Sequence, residues 1–249
     1  RCTRNFVRMD VTTQAIALRN TDVNENDKLI LLYSLEYGKI TVHAKGIRKS
    51  TAKLKFCADQ FCFGNYELAK NGDRFTLKTC DQKESFFCLR EDVVRYYAAC
   101  LIAECVIVGT ADGQIEPQVF VEMLRAMQSL ANEAEPMLVA LRFIVAFFRL
   151  EGSALNWNEC SSCGNKPQKV FFDGYRGATV CQNCRSAESN PVPSNAVAVC
   201  KMVDGLPYEK LKNVSATGDT LKDALPVCGK RFACVFGNLR TVSELIKLA

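Results

Sequence analysis

The chain has 249 residues, of which 48% are hydrophobic and 24% charged, and it carries 14 Cys, 1 His and a net charge of +5. This length accommodates one large domain or two ordinary ones, and 14 Gly and 7 Pro are too few for a collagen-like or low-complexity chain. The most apolar run, residues 138–150, is too short to span a membrane and contains Arg142 and Arg149. No secretory signal is visible, so we expect a cytoplasmic protein with no membrane association.

The first third of the chain predicts a barrel of five short strands. Residues rich in β-branched and aromatic side chains alternate with turn sequences, and Asn71-Gly72 marks a hairpin. The predicted strands cover residues 12–19, 28–34, 39–45, 61–68 and 75–80. Five strands in so short a segment favour an OB-fold, a small barrel whose face and loops often bind nucleic acid. We place this domain at residues 1–82.

The predicted third strand alternates apolar and polar side chains. Its apolar set is Ile40, Val42 and Ala44, and its polar set is Thr41, His43 and Lys45. We expect the apolar set to face the barrel interior, since successive side chains of a strand point to opposite faces. His43 then lies at the surface beside Lys45 and is not a catalytic base.

Aromatic side chains in this region could stack on bases, as proteins that bind single strands require. Phe61 and Phe63 share a face of the predicted fourth strand, so we expect them to fill the barrel. Tyr37, in the turn before the third strand, is the aromatic residue that we expect to be exposed.

Positive charge is concentrated in the barrel domain. Residues 1–80 hold 14 Lys and Arg against 8 Asp and Glu, whereas residues 81–249 hold 18 against 19. Six cations and no acidic residue fall within residues 39–55, namely Lys39, Lys45, Arg48, Lys49, Lys53 and Lys55. A solvated loop without a ligand could also be this basic. Because predicted strands flank the segment and hold it, we predict instead a phosphate-binding surface.

From Arg90 onward the apolar residues recur at helical spacing. Residues 91–109, 118–131 and 137–151 are predicted helices, and Pro117 and Pro136 occupy first-turn positions of the second and third. The third helix is apolar on nearly all sides, so it should lie at the centre of a bundle and end at Gly152. Helical segments return after residue 193 and end with residues 241–248. We therefore place a helical domain at residues 83–249.

Four cysteines inside the helical domain have the spacing of a metal site. Cys160, Cys163, Cys181 and Cys184 form two C-x2-C pairs separated by 17 residues. Two such pairs supply four thiolates in a tetrahedron, which suits one structural Zn²⁺ with no open position. Residues 169–173 and 178–180 predict a hairpin between the pairs. The result is a predicted zinc ribbon inserted at about residues 157–188.

The other ten cysteines are expected to be reduced thiols that pack as small hydrophobic side chains, because a chain of this length builds a core without disulfides. They are Cys2, Cys57, Cys62, Cys80, Cys88, Cys100, Cys105, Cys200, Cys228 and Cys234.

Four short segments of the barrel domain carry a recognisable signature. They are Ala15-Ile-Ala-Leu-Arg19, Glu25-Asn-Asp-Lys-Leu29, Tyr37-Gly-Lys39 and Ala44-Lys-Gly-Ile-Arg-Lys49. This set resembles the N-terminal signature of the bacterial DNA repair protein RecO family. That family has an N-terminal OB-fold, a helical C-terminal domain and, in many members, an inserted four-cysteine zinc motif. The resemblance implies the α+β, multi-domain architecture that the patterns above predict independently.

The same resemblance implies a role in DNA repair and homologous recombination without catalysis. RecO-like proteins bind single- and double-stranded DNA, anneal complementary strands, contact the C-terminal tail of single-stranded DNA-binding protein, and act with RecR to load RecA. The matched basic positions are Lys39, Lys45, Arg48 and Lys49, and Lys53 and Lys55 continue the stretch.

For two other matched residues we predict structural roles and no contact with phosphate. Glu25 and Asp27 are acidic, so we expect them to order their loop and cap Lys28. Phe56 and Gln60 depart from the family pattern, which leaves the path of the loop after Lys55 open.

The nearly neutral helical domain is better suited to protein partners than to phosphate. An acidic tail peptide would need an apolar groove with a cationic rim. Arg125, Arg142 and Arg149 are candidate rim residues.

Two other functions remain open. An RNA-binding protein with an OB-fold and a zinc ribbon would prefer RNA over a matched DNA oligonucleotide. A thiol- or zinc-dependent enzyme would need an open metal position or a catalytic base, and neither four cysteine ligands nor an outward-facing His43 provides one.

Overall fold

The structure is a computed structural model that describes residues 9–132 and 134–249. It contains two compact units. The first comprises residues 1–87 and 110–120, of which 9–87 and 110–120 are described, and the second comprises residues 88–109 and 121–249. The sequence prediction placed a single domain boundary after residue 82. In the structure residues 88–109 belong to the second unit, and residues 110–120 belong again to the first.

The first unit is a closed five-stranded barrel, and the predicted α+β fold class is confirmed. Its strands are β1 (Met9–Val23), β2 (Asp27–Ser34), β3 (Gly38–Ala44), β4 (Phe63–Asn71) and β5 (Arg74–Glu84). The order around the barrel is β1-β2-β3-β5-β4. Neighbouring strands are antiparallel except β3 and β5, which pair in parallel at Val42 and Phe75. This is the topology of an OB-fold.

β1 is longer than the predicted strand of residues 12–19. Its first half pairs with β4 and its second half with β2, and the register with β2 shifts between Ala17 and Arg19. β1 therefore pairs with two neighbouring strands, and the register shift lies where its pairing changes from β4 to β2. Sequence alternation did not reveal the extension because residues 20–23 are mostly polar and only their pairing with β2 makes them a strand.

The barrel core comes from the apolar alternation of the strands. Ile40, Val42 and Ala44 are 7%, 0% and 1% exposed, which confirms the predicted inward face of β3. Phe61 differs from its prediction, since it lies in a turn before β4 with φ +71°. Its N–H donates to the Ala17 carbonyl at 2.7 Å and its side chain is fully buried, so packing holds a backbone conformation that a strand pattern does not predict.

The second unit is helical, with a small inserted sheet. Its helices, together with one that starts in the first unit, are α1 (Val93–Gly109), α2 (Pro117–Ala131), α3 (Pro136–Leu150), α4 (Ser194–Val203), α5 (Gly218–Val235) and α6 (Thr241–Leu248). The predicted first three helices and the last are confirmed. α5 continues through Pro226, a residue that sequence rules treat as a helix breaker.

α3 lies at the centre of the bundle, as its composition predicts. Every residue from Met137 to Phe148 is buried, and the helix contacts α1, α4 and α5. The Glu135 side chain caps its first turn by accepting hydrogen bonds from the N–H groups of Met137 and Leu138. Gly152 follows the helix with φ +68° and donates to the Arg149 carbonyl, which confirms the predicted stop.

The inserted sheet comprises β6 (Phe171–Asp173), β7 (Ala178–Val180) and β8 (Asn190–Pro191), in the order β7-β6-β8. The predicted hairpin is present, with a first strand shorter than residues 169–173. The third strand lies beyond the predicted limit of about residue 188 because a two-residue strand carries no periodic pattern.

None of the described cysteines forms a disulfide. Six of the nine that are described outside the C-x2-C pairs are buried, namely Cys57, Cys62, Cys80, Cys105, Cys200 and Cys228. Cys88, Cys100 and Cys234 are only half-buried, and Cys2 lies outside the described residues. Across the described ranges, no helix has the length and apolar character needed to cross a membrane.

Candidate nucleic-acid interface and metal centre

The segment between β3 and β4 presents most of the predicted phosphate-binding side chains. Lys45, Arg48, Lys49, Lys53 and Lys55 are all exposed, and we call these five residues the basic surface. Apolar residues alternate with them along the segment: Ile47 is 4% exposed and Leu54 packs against the barrel core. Burial of these apolar anchors holds the loop to the barrel while its cations remain in solvent.

Asp27 positions the start of this loop. One of its carboxylate oxygens accepts a hydrogen bond from the Gly46 N–H at 2.7 Å, and the other lies 3.0 Å from His43 Nε2. Gly46 has φ +65°, a conformation that glycine adopts readily. The hydrogen bond from Gly46, followed by that from His43, holds the pKa of Asp27 below its usual value.

These contacts refine two predictions. Asp27 orders the basic loop, but Lys28 pairs with Asp22 at 3.3 Å and receives no cap from Asp27. His43 is half-buried against Asp27.

The cations of the basic surface differ in whether their side chains form ion pairs or hydrogen bonds with the rest of the protein. Arg48 lies 3.3 Å from the Asp22 carboxylate and donates to the Asn24 carbonyl, and Lys55 donates to the Ser50 carbonyl. Lys45, Lys49 and Lys53 form no ion pair with any residue that the structure describes. A pocket of about 300 Å³ between Lys28, Arg48 and Lys55 adds a concave cationic spot to this surface. Both free and oriented cations are therefore available to an anion.

The path of the chain after Lys55 is set by buried hydrogen bonds. Residues 55–58 form a 3₁₀ turn. The Tyr66 hydroxyl donates to the Cys57 carbonyl at 2.9 Å, and Asn20 donates to the Ala58 carbonyl at 2.6 Å. Phe56 packs against the barrel core. Phe56 is thus accommodated in an anchored turn, and Gln60 lies in the next turn, in which the Cys62 N–H donates to the Asp59 carbonyl at 3.1 Å.

Lys39 does not belong to the basic surface, which corrects its predicted role. Its side chain is buried, with Nζ donating to the Thr110 carbonyl at 2.6 Å and lying 3.3 Å from the Asp112 carboxylate. It also lies at the start of β3, at the opposite end from Lys45. The prediction failed because the partners of Lys39 are about 70 residues away in the chain, where no local pattern identifies them.

The candidate rim residues of the helical unit are also separated. Arg142 is buried, where its guanidinium donates to Glu122 at 2.8 Å and to the Leu206 carbonyl at 2.7 Å, so it is not a rim residue. Arg149 is half-exposed and pairs with Asp204. Arg125 lines a cavity of about 390 Å³ together with Gln128, Tyr208, Glu209 and Lys212.

The four paired cysteines converge on one point, as their spacing predicts. Their Sγ atoms all lie within 4.8 Å of one another, and those of Cys163 and Cys181 are 3.9 Å apart. A tetrahedron of Zn–S bonds of about 2.3 Å requires sulfurs about 3.8 Å apart. The four residues therefore fit a tetrahedral metal ion that prefers thiolate ligands.

Backbone groups around the cluster favour a thiolate at Cys160. The N–H of Cys181, and then those of Ser162 and Cys163, donate to the Cys160 sulfur and lower its pKa to about 6. Side-chain hydrogen bonds with Cys181 and Cys163 raise the pKa of Cys184 to about 12. A divalent cation would displace the thiol protons of the cluster, which is how metal binding and thiol ionisation are coupled.

The ribbon is secured to the helical unit by a contact that the sequence did not reveal. Arg231 of α5 donates to the carbonyls of Gly174 and Tyr175, at 3.0 and 2.6 Å, in the turn between β6 and β7. Gly177 has φ +63°, and a Cβ there would lie 2.8 Å from Arg231 Nε. The glycine in this turn was visible in the sequence, but nothing in the sequence linked it to Arg231.

Comparisons with known proteins cover both parts of the chain. The family model described as Recombination protein O N terminal matches residues 9–86, and the one described as Recombination protein O C terminal matches residues 90–237. Three similar curated proteins carry the name DNA repair protein RecO. That of Pelotomaculum thermopropionicum is 32% identical over 73% of this chain and 71% of its own length, and that of Clostridium novyi is 25% identical over 86% and 85%. That of Desulfitobacterium hafniense is 30% identical over 71% of this chain, and the match spans 65% of its length.

Proposed function

The chain belongs to the recombination protein O family, and we propose on this premise that it is a mediator of DNA repair and homologous recombination. The observation that carries the proposal is the family match over both residues 9–86 and 90–237. We infer that the chain binds single- and double-stranded DNA and anneals complementary strands. With RecR it would help to load RecA onto DNA covered by single-stranded DNA-binding protein.

DNA binding is assigned to the basic surface. Five exposed cations in one anchored loop displace counterions from phosphates, so binding should depend little on base sequence and strongly on salt. For single strands the logarithm of the binding constant falls with the logarithm of salt concentration by about 0.7 per neutralised phosphate. Neutralising two strands on one surface also reduces their mutual repulsion, which favours annealing.

The first experiment removes charge from the loop. Replacing Arg48, Lys49, Lys53 and Lys55 by Ala should weaken binding of a fluorescein-labelled oligonucleotide and reduce the salt slope by about 3, since about 0.7 is lost per contact. Fluorescence anisotropy across a salt series measures both quantities. The side chains are exposed, so the thermal midpoint and the metal content should stay close to those of the parent chain.

A matched control removes the same charge elsewhere. Replacing the exposed Lys166, Lys201, Lys210 and Lys247 by Ala lowers the net charge equally and should leave the salt slope near that of the parent. Equal slopes for the loop variant and the parent would place DNA on another surface. Absence of DNA binding by the parent at low salt would overturn the proposed function itself.

We propose Zn²⁺ as the ion of the four-cysteine cluster, with Cys160, Cys163, Cys181 and Cys184 as ligands. Four thiolates leave no position for a substrate or a reactive water, so the ion would contribute folding free energy to the ribbon and no catalysis. Elemental analysis of the purified chain should find one zinc ion per molecule. Another metal, or none in a fully reduced and folded chain, would refute the assignment.

The helical unit is proposed to receive the acidic C-terminal tail of single-stranded DNA-binding protein. What supports this is the cavity between α2 and residues 208–212, where Arg125 and Lys212 can pair with carboxylates. Replacing both by Ala should weaken binding of a labelled tail peptide, whereas replacing Lys201 and Lys210 should not. Equal binding by both variants would move the tail to a different site.

The choice of nucleic acid also has a direct test. Competition between matched RNA and DNA oligonucleotides should show no preference for RNA. A clear preference for RNA would favour an RNA-binding function for the same barrel.

A further inference from the structure

A second concave site lies on the barrel, at the end of β3 that is remote from the basic surface. It encloses about 640 Å³ between the β2–β3 turn, the β4–β5 hairpin and residues 112–115. We call it the anchor cleft, and its defining residues are Tyr37, Ile40, Asp73, Phe75, Asp112 and Ile115. Thr41 is the lining residue of β3 nearest to Lys45, so about 13 Å of strand separates the two sites.

The wall formed by residues 110–115 is firmly attached to the barrel. Gly113 donates to the Lys39 carbonyl at 2.9 Å, and the Lys39 ammonium donates to the Thr110 carbonyl. Gly38 has φ +63°, and a Cβ there would lie 1.9 Å from the Gln114 carbonyl oxygen. Only glycine permits this approach, so the cleft is a built feature of the barrel.

The floor of the cleft is aromatic and already holds a cation. The rings of Tyr37 and Phe75 meet edge to face with centroids 5.5 Å apart. The Lys70 ammonium lies 4.9 Å from the Tyr37 centroid and 5.5 Å from that of Phe75. Ile115 is 55% exposed at the rim. An apolar side chain could pack between the rings of the floor and Ile115.

Charge at the rim opposes a nucleic acid. Asp73 is exposed, and the Asp112 side chain is 88% exposed while it neutralises the buried Lys39. Glu36 adds a third carboxylate. Lys70 is the remaining cation of the lining, so a phosphate backbone would meet net negative charge, whereas Lys or Arg side chains would be attracted.

We propose that the anchor cleft is a docking site for a protein segment that presents an apolar or aromatic side chain flanked by Lys or Arg. The apolar side chain packs on the floor against Ile115, and the flanking cations pair with Asp73 and Asp112. The segment binds independently of DNA on the basic surface, so the test does not depend on nucleic-acid binding.

The probe is the tripeptide acetyl-Lys-Trp-Lys-amide, followed by NMR of the ¹⁵N-labelled full chain. Saturable shifts should appear at residues 37–41, 70–75 and 112–115. The charge-reversed acetyl-Glu-Trp-Glu-amide should give none. Ile115→Asp and Asp73→Lys should each weaken binding about tenfold, a difference of about 1.4 kcal/mol. Val93→Asp is the matched control because Val93 is similarly exposed, at 53%.

Three results would overturn the proposal. Equal shifts with the two tripeptides would show that the carboxylates of the cleft do not select a positively charged segment. Unchanged affinity of Ile115→Asp for the Lys-Trp-Lys tripeptide would show that the apolar side chain does not pack against Ile115. Displacement of the tripeptide by oligothymidylate would make the cleft a nucleic-acid subsite.

Discussion

Asp27 is an acidic residue on which the geometry of a cationic surface depends. Its carboxylate holds the Gly46 N–H and His43 together at the start of the basic loop. Two physical effects of replacing it have opposite signs. Loss of a negative charge near phosphate should strengthen DNA binding, whereas loss of the hydrogen bonds should disorder the loop and weaken it.

We expect Asp27→Asn to weaken DNA binding. Removing one negative charge strengthens attraction to phosphate, but it does not compensate for the disordering of several cationic side chains in the loop. Anisotropy titrations at fixed salt measure the change, and Asp10→Asn, which removes the same charge from the far end of β1, is the control. Tighter binding by Asp27→Asn would mean that electrostatics outweighs loop positioning.

The pH dependence of this contact has a defined direction. The folded pKa of Asp27 lies below its usual value, so the carboxylate contributes stability above the unfolded pKa of about 3.9. That contribution is lost as pH falls through the folded pKa. In a pH titration of thermal stability, Asp27→Asn should therefore differ from the parent near neutral pH and converge with it in acid.

The proposed role of Cys163 as a metal ligand can be tested by substitution. Cys163→Ser replaces a proposed sulfur ligand at the exposed edge of the cluster, so we expect loss of zinc and of ribbon stability. Elemental analysis and thermal unfolding measure the two effects. Cys88→Ser, which alters a half-buried thiol outside the cluster, should retain one zinc ion per chain. Equal zinc content in both variants would rule out Cys163 as a ligand.

At the scale of elements, the ribbon and α5 are joined by Arg231. Arg231→Met leaves the Gly174 and Tyr175 carbonyls without their charged donor, and we expect the free energy of unfolding to fall by about 1.5–3 kcal/mol. Chemical denaturation measures this change. Lys230→Met removes an exposed hydrogen bond to Glu188 and should cost less than about 0.5 kcal/mol. Equal losses would mean that the Arg231 contact adds nothing to an ordinary surface bond.

Elements also show where local patterns suffice. α3 was predictable because its apolar run, Pro136 and Gly152 all lie within or beside it. The four-cysteine cluster was predictable from its two C-x2-C pairs. The extension of β1 was not, because polar residues 20–23 become a strand only when β2 lies beside them. Strand formation depends on the neighbour more than helix formation does.

At the scale of the whole molecule, the cysteine cluster and the basic surface belong to different compact units. Removal of the proposed metal ion by a chelator should therefore unfold the ribbon while the barrel keeps its closed structure. We expect DNA affinity and its salt slope to persist in the chelated protein, with the loss confined to thermal stability and near-ultraviolet signals of Trp157, which stacks on Phe172. Parallel loss of DNA binding would place a nucleic-acid contact in the second unit.

The excess of positive charge follows position in the chain and not the two compact units, because residues 110–120 add two carboxylates and no cation to the first unit. The excess of Lys and Arg is confined to the first third of the chain, and five of the six predicted cations there are exposed. Lys39 is the exception, and with Thr110 and Asp112 it builds one wall of the anchor cleft. A residue that composition assigns to phosphate binding is used instead to attach residues 110–115 to the barrel.

The sequence by itself determined the barrel, the helical bundle, the four-cysteine cluster and the position of the basic loop. Each depends on residues close together in the chain, where alternation, helix-terminal Pro and Gly, and cysteine spacing act locally. Only the tertiary structure decided that Lys39 and Arg142 are buried, that Arg231 holds the ribbon, and that a cleft forms at Tyr37. Those outcomes depend on partners far apart in sequence, and the free energy of a charged group is set by what surrounds it after folding.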